Sequence, residues 1–360
     1  MNLLFLVPKH EYDTKMSRVR FEEVEALKVA SPQVNVHMSG PGWPDWPEGL
    51  LARDYVLQRC IALRDNLSEK PHVVYSYGVT GLAGSPIPVA LKFHETYNWR
   101  KTLGLIQDTG ATLVFFTYAN DIETYREALK DYRVLNGHPA KARALEIEHL
   151  PHGADAGIYH PYQGAPEKPI DVLVVGNLAQ DFYPFRARLA RLAQRELKKR
   201  GYAVVTLPHP GFRAHRDADG TMRSDRPAAV IGEPYARMLS RAKLVISCTS
   251  RQKYAFCKLV EIPLCGALPI SDLPWERKGF FAQTTLNVEM WHTDREILGR
   301  IEDLLDDEGE LTRRTTIAHD KVAQRLTLAH WAERFIYHAR RHVWGESPAP
   351  PTPLVEEGEA

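Results

Sequence analysis

Cysteine is scarce in this chain of 360 residues: there are four, Cys60, Cys248, Cys257 and Cys265. No two of them form a Cys-x-x-Cys pair, so the pattern indicates neither a zinc ribbon nor a dithiol redox centre. Three lie in apolar stretches and read as buried thiols of a protein kept in a reducing cytoplasm. An excess of charge is also missing. Forty-six Lys and Arg face 45 Asp and Glu, for a formal net charge of +1. That balance counts against a chain that lives wholly on nucleic acid or anionic membrane, and leaves room only for a local patch. No apolar run reaches the ~18 residues of a membrane span. The apolar start, Met1–Pro8, lacks a basic lead and runs straight into charged residues, so it reads as a buried first strand, not a signal peptide. No Gly-x-Gly-x-x-Gly follows either first strand, which counts against a nicotinamide-dependent enzyme, and there is no Gly-x-Ser-x-Gly elbow.

What is present is an alternation of apolar strands and amphipathic helices. Strands are expected at Leu3–Val7, Val34–Met38, His72–Tyr77, Pro88–His94, Thr112–Thr117 and Glu146–Leu150. Helices are expected at Arg20–Ala30, Tyr55–Asn66 and Asp121–Asp131. A Pro- and Gly-rich linker at Tyr159–Pro169 separates this series from a second. The second has strands at Asp171–Val175, Ala203–Leu207, Leu244–Ser247 and Leu268–Ser271, with helices between and after them. Strands joined by helices of this length predict parallel sheets covered on both faces. The expected fold class is therefore α/β, with two Rossmann-like doubly wound domains facing across a cleft. The domains are expected at 1–158 and 159–328. A C-terminal helix at 329–345 should pack back on the first, ahead of a disordered tail at 346–360.

Residues 235–276 carry the most chemistry. Glu261 sits in an otherwise apolar helical turn, and a buried carboxylate costs several kcal/mol unless something binds it. Lys258, three residues earlier, shares its face: either the two pair as a salt bridge, or each holds part of a ligand. The preceding loop carries Ser247, Thr249, Ser250, Arg251 and Lys253 at a strand's carboxyl end, which suits a diphosphate or is simply solvated. Gly176-Asn177 follows the strand Asp171–Val175, and Arg186 lies in the opening turn of the next helix. That arrangement fits a phosphate approach or a plain tight turn. In the first series, His94 ends a parallel strand and so faces the cleft, either as a site residue or as a cap of the next segment. Trp43 and Asp45 offer an acceptor platform, since aromatic faces stack on sugars or bases. The alternative for Trp43 is a Pro-rich loop packed by its tryptophans.

These residues resemble a known family. KLVEIPLCGALPISD looks like the signature of the group-1, family-4-like GT-B glycosyltransferases. GNL…YPFR and YARMLSRAKLVIS are similar to its spore-maturation-protein-like branch, and HLPHGADAGIYHP, residues 149–161, is similar to that family's hinge segment. The resemblance covers roughly residues 145–285 and implies a donor that is a nucleotide-diphosphate sugar, UDP- or GDP-linked, with no prosthetic group. Glu261 matches the second glutamate of the family's E-x7-E motif, which binds the ribose. The first glutamate falls on Lys253, a departure at the donor-sugar contact. The resemblance implies a hexosyl- or pentosyltransferase with a retaining outcome. It also implies a donor site of Gly176, Asn177, Arg186, Ser250, Arg251, Lys253, Lys258 and Glu261, with Lys258 and His94 as catalytic groups and Ser17, Arg18 and Glu95 toward the acceptor. No metal is expected where Arg, Lys and a helix dipole neutralise the leaving diphosphate. The acceptor is a small molecule, a glycan or DNA, and the oligomeric state is not encoded. Two rivals stand beside this reading: a phage-type transferase acting on hydroxymethylated DNA bases, and a non-catalytic binding protein of the same fold.

Overall fold

The computed structural model describes the chain apart from residues 31–33, 136–141, 163–167, 217–221, 225, 227 and 355–360. It forms two compact units, one made of Met1–Pro151 with Ala329–Pro351, the other mainly of His152–Leu328.

The first unit runs β1 (Asn2–Leu6), α1 (Lys9–Thr14), α2 (Val19–Ala30), β2 (Asn35–Ser39), α3 (Ala52–Ala62), β3 (Val73–Ser76), β4 (Val89–Phe93), α4 (Trp99–Thr109), β5 (Leu113–Phe116), α5 (Ile122–Ala128), a short hairpin of β6 (Arg133–Leu135) and β7 (Ala142–Ala144), and β8 (Glu146–His149). Six strands make one parallel sheet in the order β2-β1-β3-β4-β5-β8. The period-2 geometry of a strand splits the run Leu3-Leu4-Phe5-Leu6 between two cores. Leu4 and Leu6 face α3, α4 and α5 through Val56, Ile106 and Tyr125. Leu3 and Phe5 face α2 through Phe21, Val24 and Leu27.

The second unit runs β9 (Ile170–Val174), α6 (Pro184–Leu192), β10 (Val204–Thr206), the hairpin β11 (Ala214–Arg216) and β12 (Met222–Ser224), α7 (Glu233–Ser240), β13 (Ala242–Ile246), α8 (Lys258–Leu264), β14 (Leu268–Ser271), α9 (Lys278–Thr284), β15 (Leu286–Asn287), α10 (Asp294–Asp306) and α11 (Glu308–Ala323). Its sheet is parallel, in the order β10-β9-β13-β14-β15. Val172, Val174, Leu244 and Ile246 pack under α6 and α10; Leu173 and Val245 pack under α7 and α8.

The last helix, α12 (Leu328–Trp344), lays Trp331, Phe335 and Ala339 on the Leu3/Phe5 face of the first sheet. His338 and His342, one turn apart on it, meet Glu148 and Glu146 of β8 at 3.6 and 3.1 Å. Residues 346–354 have no regular structure; the rest of the expected tail, like linker residues 163–167, lies outside the described residues. Helices α1, α4 and α9 lie where the sequence pattern assigned none. In α4 the buried side chains are only Thr102, Ile106 and Thr109, too sparse and too polar to read as an apolar stripe.

Candidate functional site

In the second unit the chain passes from β9 to β10 on one side, then crosses to β13 on the other. Loops leaving β9 and β13 therefore diverge and open a crevice at the strands' carboxyl ends, the usual ligand position of such sheets. The β9 loop opens with Gly176, at φ +86°. A Cβ built there would lie 3.0 Å from Arg186 Nη1 and 3.2 Å from Lys258 Cε. Glycine is needed both for the left-handed backbone and for the space in which these two cations converge.

Arg186 comes from the first turn of α6 and is 3% exposed. It donates to the carbonyls of Asn177 (3.1 Å) and Cys248 (2.9 Å), and its guanidinium lies 4.3 Å from the Tyr183 ring. Its Nε is buried without a hydrogen-bond partner, and no carboxylate among the described residues pairs with it. A charge withdrawn from water with no counter-charge costs several kcal/mol. Lys258, at the start of α8, also lacks a carboxylate partner among the described residues; its Nζ lies 5.9 Å from the Tyr235 ring.

Glu261, one turn along α8, is 7% exposed. The salt bridge that its spacing from Lys258 permits is not formed, and its carboxylate has no hydrogen-bond partner among the described residues. Tyr235 Oη and Ser247 Oγ are likewise buried and unpartnered. Burial, reinforced by the Glu261 charge, pushes the Tyr235 phenol well above its ordinary pKa, so it stays a hydrogen-bond donor. Burial, then the charges of Lys258, Arg226 and Arg186, lowers the His209 pKa and marks that imidazole as part of the same positive field. A buried polar group left open calls for an explanation, and several on one crevice point to a ligand that completes them.

The β13 loop continues this site. Ser250 is buried, and its hydroxyl accepts from Gln252 N; Arg251 is exposed, and its amide donates to Phe182 O. Lys253 adopts φ +55°, unusual for a residue with a side chain. Its ammonium donates to Asp272 at 2.7 Å and to Glu289 at 3.5 Å. Burial alone would lower the Lys253 pKa; the Asp272 bond and the two acidic charges outweigh it and raise it. Asp272, 2% exposed, also accepts from the Thr249 amide and hydroxyl at 2.9 and 2.5 Å.

In the first unit, His94 follows β4 and is nearly buried. Its Nε2 lies 3.9 Å from Glu23 Oε2, while the other Glu23 oxygen accepts from Lys92. Glu23 and Lys92 are fully buried. Burial raises the Glu23 pKa and lowers that of Lys92 to about 8, each opposed by the partner's charge. Glu95 and Ser17 are exposed. Arg18 stacks on Tyr12 and Phe21 and donates to Tyr12 O. Trp43 donates its indole N–H to Val7 O at 2.9 Å and packs on Tyr12. Asp45 accepts from Ser39 and Tyr55, each at 2.9 Å, and contacts His37 at 2.8 Å. Burial would raise its pKa, but these bonds prevail and hold it below the ordinary value. Trp43 and Asp45 thus brace their own loop.

Tyr235, His209, Asp272, Glu289, Glu23 and Lys92 were not among the sequence candidates. Lys92 alone carried a signal, a lysine inside the apolar run Val89–Phe93. Among the described residues no group of three or more His, Cys, Asp or Glu could hold a metal ion. The Asp-x-Asp spacing at Asp217–Asp219 lies outside the described residues.

No protein-family model matches the chain. No curated protein matches it either. Solved structures do. One is an alpha-glucosyltransferase in complex with UDP-glucose and DNA containing an abasic site (TM-score 0.58, 12% identity, 94% of this chain and 99% of that one). Another is Anabaena HepE with UDP and glucose (0.54, 14%, 94% and 99%). A third is sucrose-phosphate synthase from Thermosynechococcus elongatus (0.55, 13%, 95% and 98%). At these identities the likeness establishes the fold, that of the GT-B glycosyltransferases.

Proposed function

We propose that the protein transfers a sugar from a nucleotide diphosphate to an acceptor hydroxyl. One observation carries this reading: Arg186 is buried without a carboxylate partner among the described residues and converges with Lys258 on Gly176, whose left-handed backbone and crowded surroundings favour glycine. A diphosphate supplies the missing charge. As the sugar departs, negative charge grows on the diphosphate, and cations already fixed there stabilise it without reorganising. Arg186 and Lys258 provide that neutralisation from the protein itself, so no step needs a divalent ion. Glu261 accepts from the ribose diol, the acceptor its free carboxylate offers. Gly176 and Asn177 let the backbone approach the phosphates, with Ser250 and Arg251 at the rim. Lys253, held by Asp272 and Glu289, stands at the sugar end, where donor and acceptor groups of both signs suit a neutral, hydroxyl-rich ring.

His94, 3.9 Å from Glu23, is the candidate catalytic group of the first unit. The structural neighbours recorded with UDP and glucose support a UDP-hexose donor, and the resemblance to the spore-maturation-protein-like branch supports a retaining outcome.

The test is calorimetry of UDP, GDP, ADP and TDP and their sugar conjugates against wild type, Lys258→Ala and Glu261→Ala. One nucleotide should saturate the wild type, and both variants should lose it. A folded wild type that binds none of them would falsify the reading.

A further inference from the structure

The segment that follows His94 exposes two large aromatic side chains, Tyr97 at 58% and Trp99 at 57%. It is held firmly. Thr96 Oγ1 donates to Asp121, and Tyr125 Oη donates to Thr96 O at 3.1 Å. Asn98 Oδ1 caps α4 by accepting from Lys101 N at 3.1 Å, and Thr102 Oγ1 donates to Asn98 O at 3.2 Å. Two exposed cations come next, Arg100 and Lys101. Neither pairs with a carboxylate among the described residues, and the Arg100 guanidinium lies 5.7 Å from the Trp99 ring centre. The segment from Tyr97 to Lys101, which begins three residues after His94, thus carries two exposed rings and two exposed cations without a carboxylate partner among the described residues.

We propose that Tyr97, Trp99, Arg100 and Lys101 form a docking platform for a nucleic acid strand, the rings stacking on bases and the cations holding the flanking phosphates. Aromatic faces interleaved with basic groups bind single strands because every base has a π-face and every linkage a negative charge. Charge separates this occupant from others. A neutral oligosaccharide stacks on rings but leaves both cations unused, whereas a phosphate backbone answers both. The near-neutral chain is no obstacle, since the counterion term is set by the few cations at the contact. As an acceptor site the platform rests on the sugar-transfer reading; as a binding surface it stands without it.

The experiment is fluorescence anisotropy of a fluorescein-labelled single-stranded DNA oligonucleotide with the full chain, over a range of salt. Trp99→Ala and Tyr97→Ala should each weaken binding about tenfold, while Trp99→Phe stays near wild type. Arg100→Gln with Lys101→Gln should flatten the slope of log K against log salt by about 1 to 1.5. All four sites are exposed, and unchanged thermal melts will verify folding. Absence of binding at low salt overturns the platform, as does a Trp99→Ala protein that binds like wild type. So does quenching of Trp99 fluorescence by neutral malto-oligosaccharides without response to DNA. UDP calorimetry on the same preparation keeps the two proposals apart. DNA binding without UDP binding removes the donor reading alone, and UDP binding without DNA binding removes the platform alone.

Discussion

Each unit buries a cation near the carboxyl edge of its sheet, and the two are treated in opposite ways. In the first, Lys92 meets a buried carboxylate, Glu23, and the pair is closed within the fold. In the second, Arg186 donates to two backbone carbonyls and lies against a tyrosine ring, and among the described residues neither it nor Lys258 beside it has a carboxylate partner. A buried ion pair is structural until one partner is removed. A buried cation without a partner is a standing cost that only a ligand offsets. The difference therefore marks Arg186 and Lys258 as the candidate binding site without reference to any relative.

The largest effect should separate these two cations. Lys92→Met strands Glu23 and should lower stability by about 3–5 kcal/mol, with much of the loss recovered in Glu23→Gln/Lys92→Met. Arg186→Met removes an uncompensated charge and should stay within about 1 kcal/mol of wild type while nucleotide binding weakens about a hundredfold or more. Urea unfolding and calorimetry check both. Equal destabilisation by the two substitutions would break the comparison.

Gly176→Ala should cost about 1–2 kcal/mol through its left-handed backbone and the contact with Arg186, and should abolish binding by displacing that side chain. Binding retained at wild-type strength would show that the glycine serves only the turn. Glu261→Gln keeps the shape but loses the charge, and should weaken nucleoside diphosphate binding about tenfold while leaving inorganic diphosphate binding unchanged. Equal loss for both ligands would detach Glu261 from the ribose.

The smallest effect is a proton. The His209 pKa is lowered in the folded protein, so the unfolded chain binds more protons below about pH 6.5. Its contribution to stability is complete above that pH and is lost as pH falls through the folded pKa. An anion beside Lys258 and Arg186 should raise the His209 pKa, so UDP binding should take up protons in the window below about pH 6.5. Calorimetry in buffers of differing ionisation enthalpy measures the uptake, and His209→Asn should reduce it. Identical uptake in that variant would place the titrating group elsewhere.

The alternation of strands was legible because a strand buried on both faces must be continuously apolar, as Leu3–Leu6 and Val172–Val175 are. Helices α1, α4 and α9 were not, because α1 buries no side chain, α4 buries one strongly apolar residue, and α9 is only seven residues long. The candidate site divides in the same way. A glycine after a strand, an arginine opening a helix and a glutamate inside an apolar turn each break a local pattern, so Gly176, Arg186 and Glu261 stood out. Tyr235 and His209 break none. They are ordinary residues of a helix and a loop until the fold brings them to the Arg186 and Lys258 charges. The same holds for Trp43 and Asp45, whose residue types suit an acceptor platform but whose partners, Val7, Ser39 and Tyr55, lie on other elements.

By itself, then, the sequence determined the two α/β series and the residue types at the ends of their strands, since burial and backbone geometry act over a few neighbouring positions. Only the tertiary structure decided which charges are answered. That Lys92 has Glu23, that Lys253 has Asp272 and Glu289, and that Arg186 and Lys258 have no carboxylate among the described residues are facts of long-range proximity, which no local pattern encodes.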